Sequence, residues 1–401
     1  MRVAIFTDND FEKVNGVTTT LRAALEHAPD DVDLRIYTCD GEGMDTREYL
    51  ALASFGIGIP FYREMKVYAP PLRRFLRHAA ADGIDVVHLT TPGPVGLAAV
   101  WVASRLGVPL IGSFHTDLAM YTRMLSGSMW LGDAMQAYMR WPYGRCQQVF
   151  APSAATRDML IQARINPSRI DIWRRGVSSE LFDPARRSAA LRDQWGVSDS
   201  RPALLYVGRV SKEKGLAMLQ PLSRFLQYAG VAHRLIVVGD GPMRRELAAG
   251  CPGAVFTGTL SPDDVATAMA SADVFVFPSE TDTAGNVVLE AQASRLPVLV
   301  SRTGGPSENM LDEESGFACA DLKQFVRRAA ELLRHEARRH RFGESARRYA
   351  LTRSWESALE PLYRAYQCPP RRQSDGAAAA SVGHDRPHPV EKSIPAVPRP
   401  Y

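Results

Sequence analysis

The feature that most constrains the fold is a rhythm that runs, stops and restarts. Short runs rich in Val, Ile, Leu and aromatic residues alternate with helix-like stretches over residues 2–174, and the alternation begins again at "ALLYVG" (203–208). Short apolar runs bounded by turn residues and separated by helices are the pattern of a parallel sheet covered on both faces. In the first half the expected strands are 2–7, 33–38, 65–69, 85–90, 109–114, 148–152 and 170–174, with helices near 15–27, 71–81, 93–106, 129–145 and 154–164. In the second half the expected strands are 203–208, 234–239, 254–258, 274–279 and 297–301, each followed by a helix. A chain of 401 residues exceeds one ordinary core. The expected class is therefore α/β, with two similar doubly wound domains in tandem.

The boundaries follow from where the rhythm breaks. Residues 1–177 form the first domain and 202–352 the second. Between them, "SSELFDPARRSAALRDQWGVSDSR" (178–201) is charged and holds no strand candidate, so it reads as a linker with a helix. A helix is expected over 353–367, and from 368 to 401 the chain is Pro, Ala, Ser and Arg without periodicity. That tail cannot bury enough apolar area to offset chain entropy and is expected to be disordered.

Bulk charge and cysteine usage exclude several functions. A net charge of +4 gives no argument for nucleic acid. Cys39, Cys146, Cys251, Cys319 and Cys368 are scattered without metal-like spacing, so reduced thiols in a cytoplasmic protein are expected. The opening "MRVAIFTDND" reads as a strand rather than a signal peptide. The longest apolar stretch, "GPVGLAAVWVASRLGVPLIG", is broken by Arg and Gly-Val-Pro and reads as helix then strand, not a membrane span.

In open α/β sheets ligands bind beyond the carboxyl ends of the strands, so residues there hold the interest. After "VFVFPS" comes "ETDTAGNVVLEA" (280–291): a polar loop with Asp282, a permissive Gly285, then a helix opening at Asn286 with Glu290 one turn inside. Free N–H groups at a helix start favour an anion or a hydroxyl-rich ligand, and carboxylates accept hydrogen bonds from hydroxyls. After the first strand of the second domain, "YVGRVSKEKGL" places Arg209 and Lys214 five apart on a glycine-flanked loop. Two such cations can hold a diphosphate, or simply be a solvated basic loop. In the first domain, Asn15-Gly16 can turn sharply and aim N–H groups at a phosphate, while Asp8-Asn9-Asp10 reads as turn caps rather than a metal site. His115 ends strand 109–114 and suits either a substrate hydroxyl or a structural role. "VVGDGPMRREL" has Gly239-x-Gly241 but Arg244 where a dinucleotide fingerprint needs glycine; a tight turn beside a nucleotide fits better. Gly304-Gly305 marks another close approach of backbone. The 71–80 stretch "PLRRFLRHAA" mixes Arg73, Arg74 and Arg77 with Leu72, Phe75 and Leu76, which suits either an anionic membrane surface or a solvated face over a buried stripe.

Taken jointly, "NGV", "SFHTD", "VGRVSKEKG", "VVGDGP" and "PSETDTAGNVVLEAQASRLPVLVSRTGG" resemble the retaining family 4 glycosyltransferases of GT-B fold over about residues 1–366. "RRGVSSELFDP" and "LRDQWGV" resemble the GDP-mannose-dependent α-mannosyltransferases and the sulfoquinovosyl-lipid synthases within it. The resemblance implies two Rossmann-like domains facing across a cleft, with helix 353–367 returning to the first. It implies a nucleotide-sugar donor, GDP-mannose favoured over a UDP-sugar, a lipid or polysaccharide acceptor, and no metal or other cofactor. It assigns catalytic roles to His115, Arg209, Lys214 and Asp282, with the donor held by Gly16, Arg209, Lys214, Gly239, Leu260, Asp282, Thr283, Ala284, Gly285, Asn286 and Glu290. Peripheral contact with the inner membrane face through 71–80 is the further expectation. Two departures stand out: Asp282 where the family usually has Glu, and Ala284 where Phe is common. A nucleotide-sugar epimerase or hydrolase, and a non-catalytic nucleotide-sugar binder, are the rival readings.

Overall fold

The computed structural model describes residues 1–9, 15–39, 43–59 and 62–369. The tail expected to be disordered falls, from residue 370 onward, outside them. The first lobe runs β1 (Arg2–Phe6), α1 (Gly16–Glu26), β2 (Asp33–Thr38), β3 (Met44–Asp45), β4 (Tyr49–Ala51), β5 (Gly56–Ile59), β6 (Tyr62–Tyr68), α2 (Leu72–Ala81), β7 (Val86–Leu89), α3 (Pro94–Leu106), β8 (Leu110–Ser113), α4 (Leu118–Ser126), α5 (Met129–Tyr143), β9 (Gln148–Ala151), α6 (Ala154–Gln162) and β10 (Ile170–Ile172). After α7 (Ala189–Trp195), the second runs β11 (Ala203–Val207), α8 (Leu219–Tyr228), β12 (Arg234–Val238), α9 (Arg244–Gly250), β13 (Val255–Gly258), α10 (Pro262–Ser271), β14 (Val274–Phe277), α11 (Asn286–Ala293), β15 (Val298–Ser301), β16 (Gly316–Cys319), α12 (Leu322–Arg334) and α13 (Glu336–Leu351). The last described helix is α14 (Trp355–Gln367).

Each lobe is a doubly wound sheet. The first has strand order β10-β9-β8-β7-β1-β2-β4-β3 and the second β13-β12-β11-β14-β15-β16. All pairings within them are parallel except β3 with β4. The first strand of each lobe sits centrally, so strand order reverses between β1 and β7 and between β11 and β14. A crevice opens at such reversals, because neighbouring crossovers leave on opposite faces. Burial explains the sequence pattern: every residue of β7, β8, β11, β14 and β15 is buried, so these strands read as continuous apolar runs rather than alternations.

α14 packs on the first lobe. Its Trp355, Leu359, Leu362, Tyr363 and Tyr366 join Val3, Ile5, Val17 and Leu21 in one core cluster, and the Tyr363 hydroxyl donates to the Ala24 carbonyl at 2.8 Å. The chain passes between the lobes twice, and the two passages touch. Val177 N–H donates to the Arg353 carbonyl at 2.8 Å, and a β-carbon on Gly176 would lie 2.6 Å from the Trp355 Cα.

Some elements were not anticipated. α4 fills a stretch that carried no helix expectation, although Asp117 caps it and Gly127, at φ 68, ends it. The short strands β3, β4, β5 and β16 are only 2, 3, 4 and 4 residues long, too short for a local pattern to reveal them. The expected strand 170–174 stops at Ile172, and 65–69 extends back to Tyr62.

Candidate functional site

The crevice between β11 and β14 brings together two loops far apart in sequence. β11 leads through Gly208, at φ 147, to Arg209, whose carbonyl accepts from the Tyr206 hydroxyl at 2.9 Å. The loop ends in a single 3-10 turn, Lys212–Lys214, closed by Gly215 at φ 70. A β-carbon on Gly215 would lie 2.4 Å from the Pro278 carbonyl oxygen, so only glycine lets this loop press against the chain leaving β14. The Glu213 carbonyl then accepts from the Thr281 hydroxyl at 2.7 Å and Ser279 at 3.4 Å.

That stitching sets Lys214 Nζ 2.6 Å from Asp282 Oδ2, with the two side chains only 18% and 20% exposed. Burial works against both charges, but their mutual attraction and hydrogen bond outweigh it. The Lys214 ammonium is held above its ordinary range and the Asp282 carboxyl below its own. The two residues read separately from sequence, one for a diphosphate and one for a sugar, are thus paired with each other. α4 delivers Tyr121 to the same place; burial lifts its phenol, Lys214 draws it back, and Thr281 hydrogen-bonds to it.

Asp282 also organises the next helix. Its Oδ1 accepts from Gly285 N–H at 3.0 Å and lies 3.4 Å from Ala284 N. Gly285 takes φ 72 just ahead of α11, which has no side-chain cap. A β-carbon there would meet Pro306 at 2.9 Å. Asn286 opens α11 with its side-chain nitrogen and oxygen both buried and without a hydrogen-bond partner. Across from it stands the start of α1: a β-carbon on Gly16 would lie 3.9 Å from Asn286 Nδ2. α1 is capped by Asn15, which accepts from Val17 and Thr18 N–H. The first residues of two helices, one from each lobe, therefore meet. Helix starts carry partial positive charge and favour an anion between them.

Glu290 sits one turn into α11, half-buried, with neither ion pair nor hydrogen bond to its carboxyl among the described residues. Burial pushes that carboxyl up to about 7. Gly239 and Gly241 have a packing explanation: β-carbons there would lie 2.0 Å from the Gly208 carbonyl oxygen and 2.4 Å from that of Val210. They let the β12 loop lie against the β11 loop. Gly305 does the same against the Thr283 carbonyl, at 2.1 Å. Leu260 follows β13 and packs partly buried on the second-lobe core.

His115, which suits either a substrate hydroxyl or a structural role, is held by neighbouring protein groups. Its Nε2 is 2.8 Å from Ser113 Oγ and its Nδ1 is 3.2 Å from Arg175 Nη2, so both ring nitrogens already face protein partners. A ligand would have to displace one of them. Arg175 can only donate, which makes Nδ1 the acceptor and puts the His115 proton on Nε2. Ser113 then donates to His88 Nε2 at 2.8 Å, and His88 Nδ1–H faces the Tyr366 hydroxyl at 2.5 Å. Burial, with the Arg175 charge, holds His115 neutral, far below the ordinary histidine range. The His115 carbonyl accepts from the Thr283 hydroxyl at 2.7 Å, joining the lobes at the site. Arg175 lies in the quoted "RRGV" stretch, but its role, like those of Ser113, His88 and Tyr366, had no local signal. Glu308 is a second interlobe link: its carboxylate accepts from Ala154 and Ala155 N–H at 2.7 and 2.8 Å, capping α6.

Of the Asp8-Asn9-Asp10 triplet, Asp10 lies outside the described residues. Asp8 does cap, though not its own turn: it accepts from Thr91 at 2.6 Å, Val95 N–H at 2.9 Å and Gly96 N–H at 3.3 Å, at the start of α3. On α2, Phe75 and Ala79 are buried, and Leu72 is the one large apolar side chain it exposes, beside exposed Arg73, Arg74 and Arg77.

Comparison with known proteins adds to this geometry. The family description "Glycosyltransferase Family 4" matches residues 14–181, and "Glycosyl transferases group 1" matches 201–335. A GDP-mannose-dependent alpha-mannosyltransferase of Mycobacterium tuberculosis is 32% identical over 398 residues, covering 94% of this chain and 99% of that protein. The sulfoquinovosyl transferase SQD2 of Arabidopsis thaliana is 30% identical over 374 residues, covering 90% of this chain and 72% of that one. Among solved structures, sucrose-phosphate synthase from Thermosynechococcus elongatus superposes with a TM-score of 0.72 at 18% identity, covering 91% of this chain and 98% of the other. HepE of Anabaena, in complex with UDP and glucose, also gives 0.72, at 16% identity, covering 92% of this chain and 99% of the other.

Proposed function

Because the chain belongs to the family 4 glycosyltransferases and has their GT-B fold of two Rossmann-like domains, we propose that it is a retaining, metal-independent hexosyltransferase that moves mannose from GDP-mannose onto a lipid or glycan acceptor. The observation that carries this reading is the meeting of Gly16 and Asn286, two helix starts, beside the Lys214–Asp282 pair. A diphosphate between the helix starts takes up their N–H groups and draws Lys214 from Asp282, with Arg209 as the second cation. Asp282 is then released to accept from sugar hydroxyls, and Glu290 from those of the ribose. The bond from the anomeric carbon to the diphosphate breaks while the acceptor oxygen bonds on the same face. The acceptor's proton passes to the departing phosphate oxygen, whose charge Arg209, Lys214 and the helix starts stabilise. Mannose from GDP follows the names of relatives at 30–33% identity. A UDP-sugar is the second reading, favoured by the UDP-bound neighbour.

The test is a thermal-shift panel of GDP-, UDP- and ADP-sugars, followed by transfer assays with and without chelator and by anomeric analysis of the product. Stabilisation by GDP-mannose alone, and chelator-resistant transfer with an α-product, are the expected results. Arg209→Ala is expected to cut turnover at least a hundredfold while leaving the melting curve intact. Near-normal transfer by that variant overturns the assignment.

A further inference from the structure

We propose that the outer face of α5 is a docking surface for an anionic lipid bilayer. Trp130, Ala134, Ala137 and Trp141 fall at i, i+4, i+7 and i+11, one stripe of the helix, and all four are exposed. The tryptophans are 73% and 46% exposed and, at the helical rise, about 16 Å apart. The opposite face of α5 is ordinary core, with Gly132, Met139, Pro142 and Tyr143 buried. At the stripe's first end, Met129 is 66% exposed and Leu131 40%, next to Leu125 of α4 at 41%. Scattered apolar residues on a surface need no explanation, but a helix stripe with an exposed tryptophan at each end and three more large apolar side chains beside one of them does.

The other end of the stripe supplies the charge. A cavity of about 510 Å³ is lined by Arg140, Trp141, Arg145, Arg164 and Arg169, and none of its lining residues is acidic. None of those four arginines forms an ion pair among the described residues. Arg145 lies 4.0 Å from the centre of the Trp141 ring. Four guanidinium groups around a hollow beside an exposed tryptophan suit a phosphate at the level where indole rings settle in a membrane interface. A free anion would use the arginines and leave the stripe without a function; a bilayer with anionic headgroups uses both. α2, the surface suggested by sequence, exposes only Leu72 among its large apolar side chains.

The patch also continues into the site. α4 carries Leu125 on this surface and, one turn earlier, Tyr121 beside Lys214 and Asp282. A lipid acceptor would then reach the crevice along α4. That last step rests on the glycosyl-transfer reading; the docking does not, because it is measured without nucleotide sugar.

The test is flotation of the full chain with phosphatidylcholine vesicles, with and without phosphatidylglycerol. Binding is expected only with phosphatidylglycerol and should weaken with salt. Trp130→Ser, at an exposed position, should lower partitioning about tenfold or more, and Arg140→Glu with Arg164→Glu should abolish the phosphatidylglycerol preference. All variants should keep the wild-type melting temperature and the same donor-induced thermal shift. Wild-type binding by both variants overturns the proposal. So does loss of binding only on removal of residues 370–401 or on charge reversal of Arg73, Arg74 and Arg77, or arginine-dependent binding of inorganic phosphate with no vesicle binding at all.

Discussion

Replacing Glu290 by Gln should make the ligand-free protein more stable and the donor complex weaker, and the sizes follow from the site. The Glu290 carboxyl is raised from 4.5 to about 7 because burial disfavours its charge. Between those values the folded chain holds a proton that the unfolded chain has released. Stability therefore falls as pH rises, by about 1.4 kcal/mol per unit and about 3 kcal/mol over the window. Below about 4.5 the cost is absent; above about 7 it is complete. Because Glu290 is partly reached by water, about 1–3 kcal/mol is the realistic figure. The glutamine variant lacks this slope. Melting curves at pH 5 and pH 8 check it: near-identical curves at the lower pH, and a variant more stable by about 2–4 °C per kcal/mol at the higher. Donor binding should move the other way, since each lost charge-assisted hydrogen bond to a hydroxyl costs about 1.5–3 kcal/mol. The GDP-mannose-induced thermal shift should then shrink or vanish in the variant. Parallel pH profiles for the two proteins would refute the buried-charge argument. An undiminished donor shift would remove Glu290 from the donor site.

Two further outcomes are expected. Lys214→Met leaves Asp282 as a buried carboxylate without its ammonium and should cost about 3–5 kcal/mol in urea unfolding, while Lys214→Met with Asp282→Asn should recover most of that loss yet stay inactive; a double variant as unstable as the single would mean the pair is not a unit. Gly16→Ala is free of steric conflict, since its β-carbon would meet only Asn286 Nδ2 at 3.9 Å and its φ is not positive, so the melting temperature should hold while donor affinity falls; unchanged affinity would place the diphosphate elsewhere.

Local pattern sufficed to determine the class of this protein: two series of strands and helices, broken at 178–201, with polar loops after the strands. Repeat distances of two and 3.6 residues are local properties, and so are the caps and stops that bound helices, including the unread Asp117 and Gly127 of α4. Local chemistry also nominated Arg209, Lys214, Asp282 and Glu290 by their place after strands. What those groups do to one another was decided by strand order. β11 lies beside β14 only because a crossover reverses there, and this alone turns Lys214 and Asp282 into a pair. The same holds for His115, whose ring nitrogens are taken by Ser113 two residues away and Arg175 sixty residues away. It holds for the meeting of Gly16 with Asn286 and for which half of α5 is left uncovered. Charge state, tautomer and exposure depend on neighbours brought in through space, and a parallel sheet draws its neighbours from distant parts of the chain.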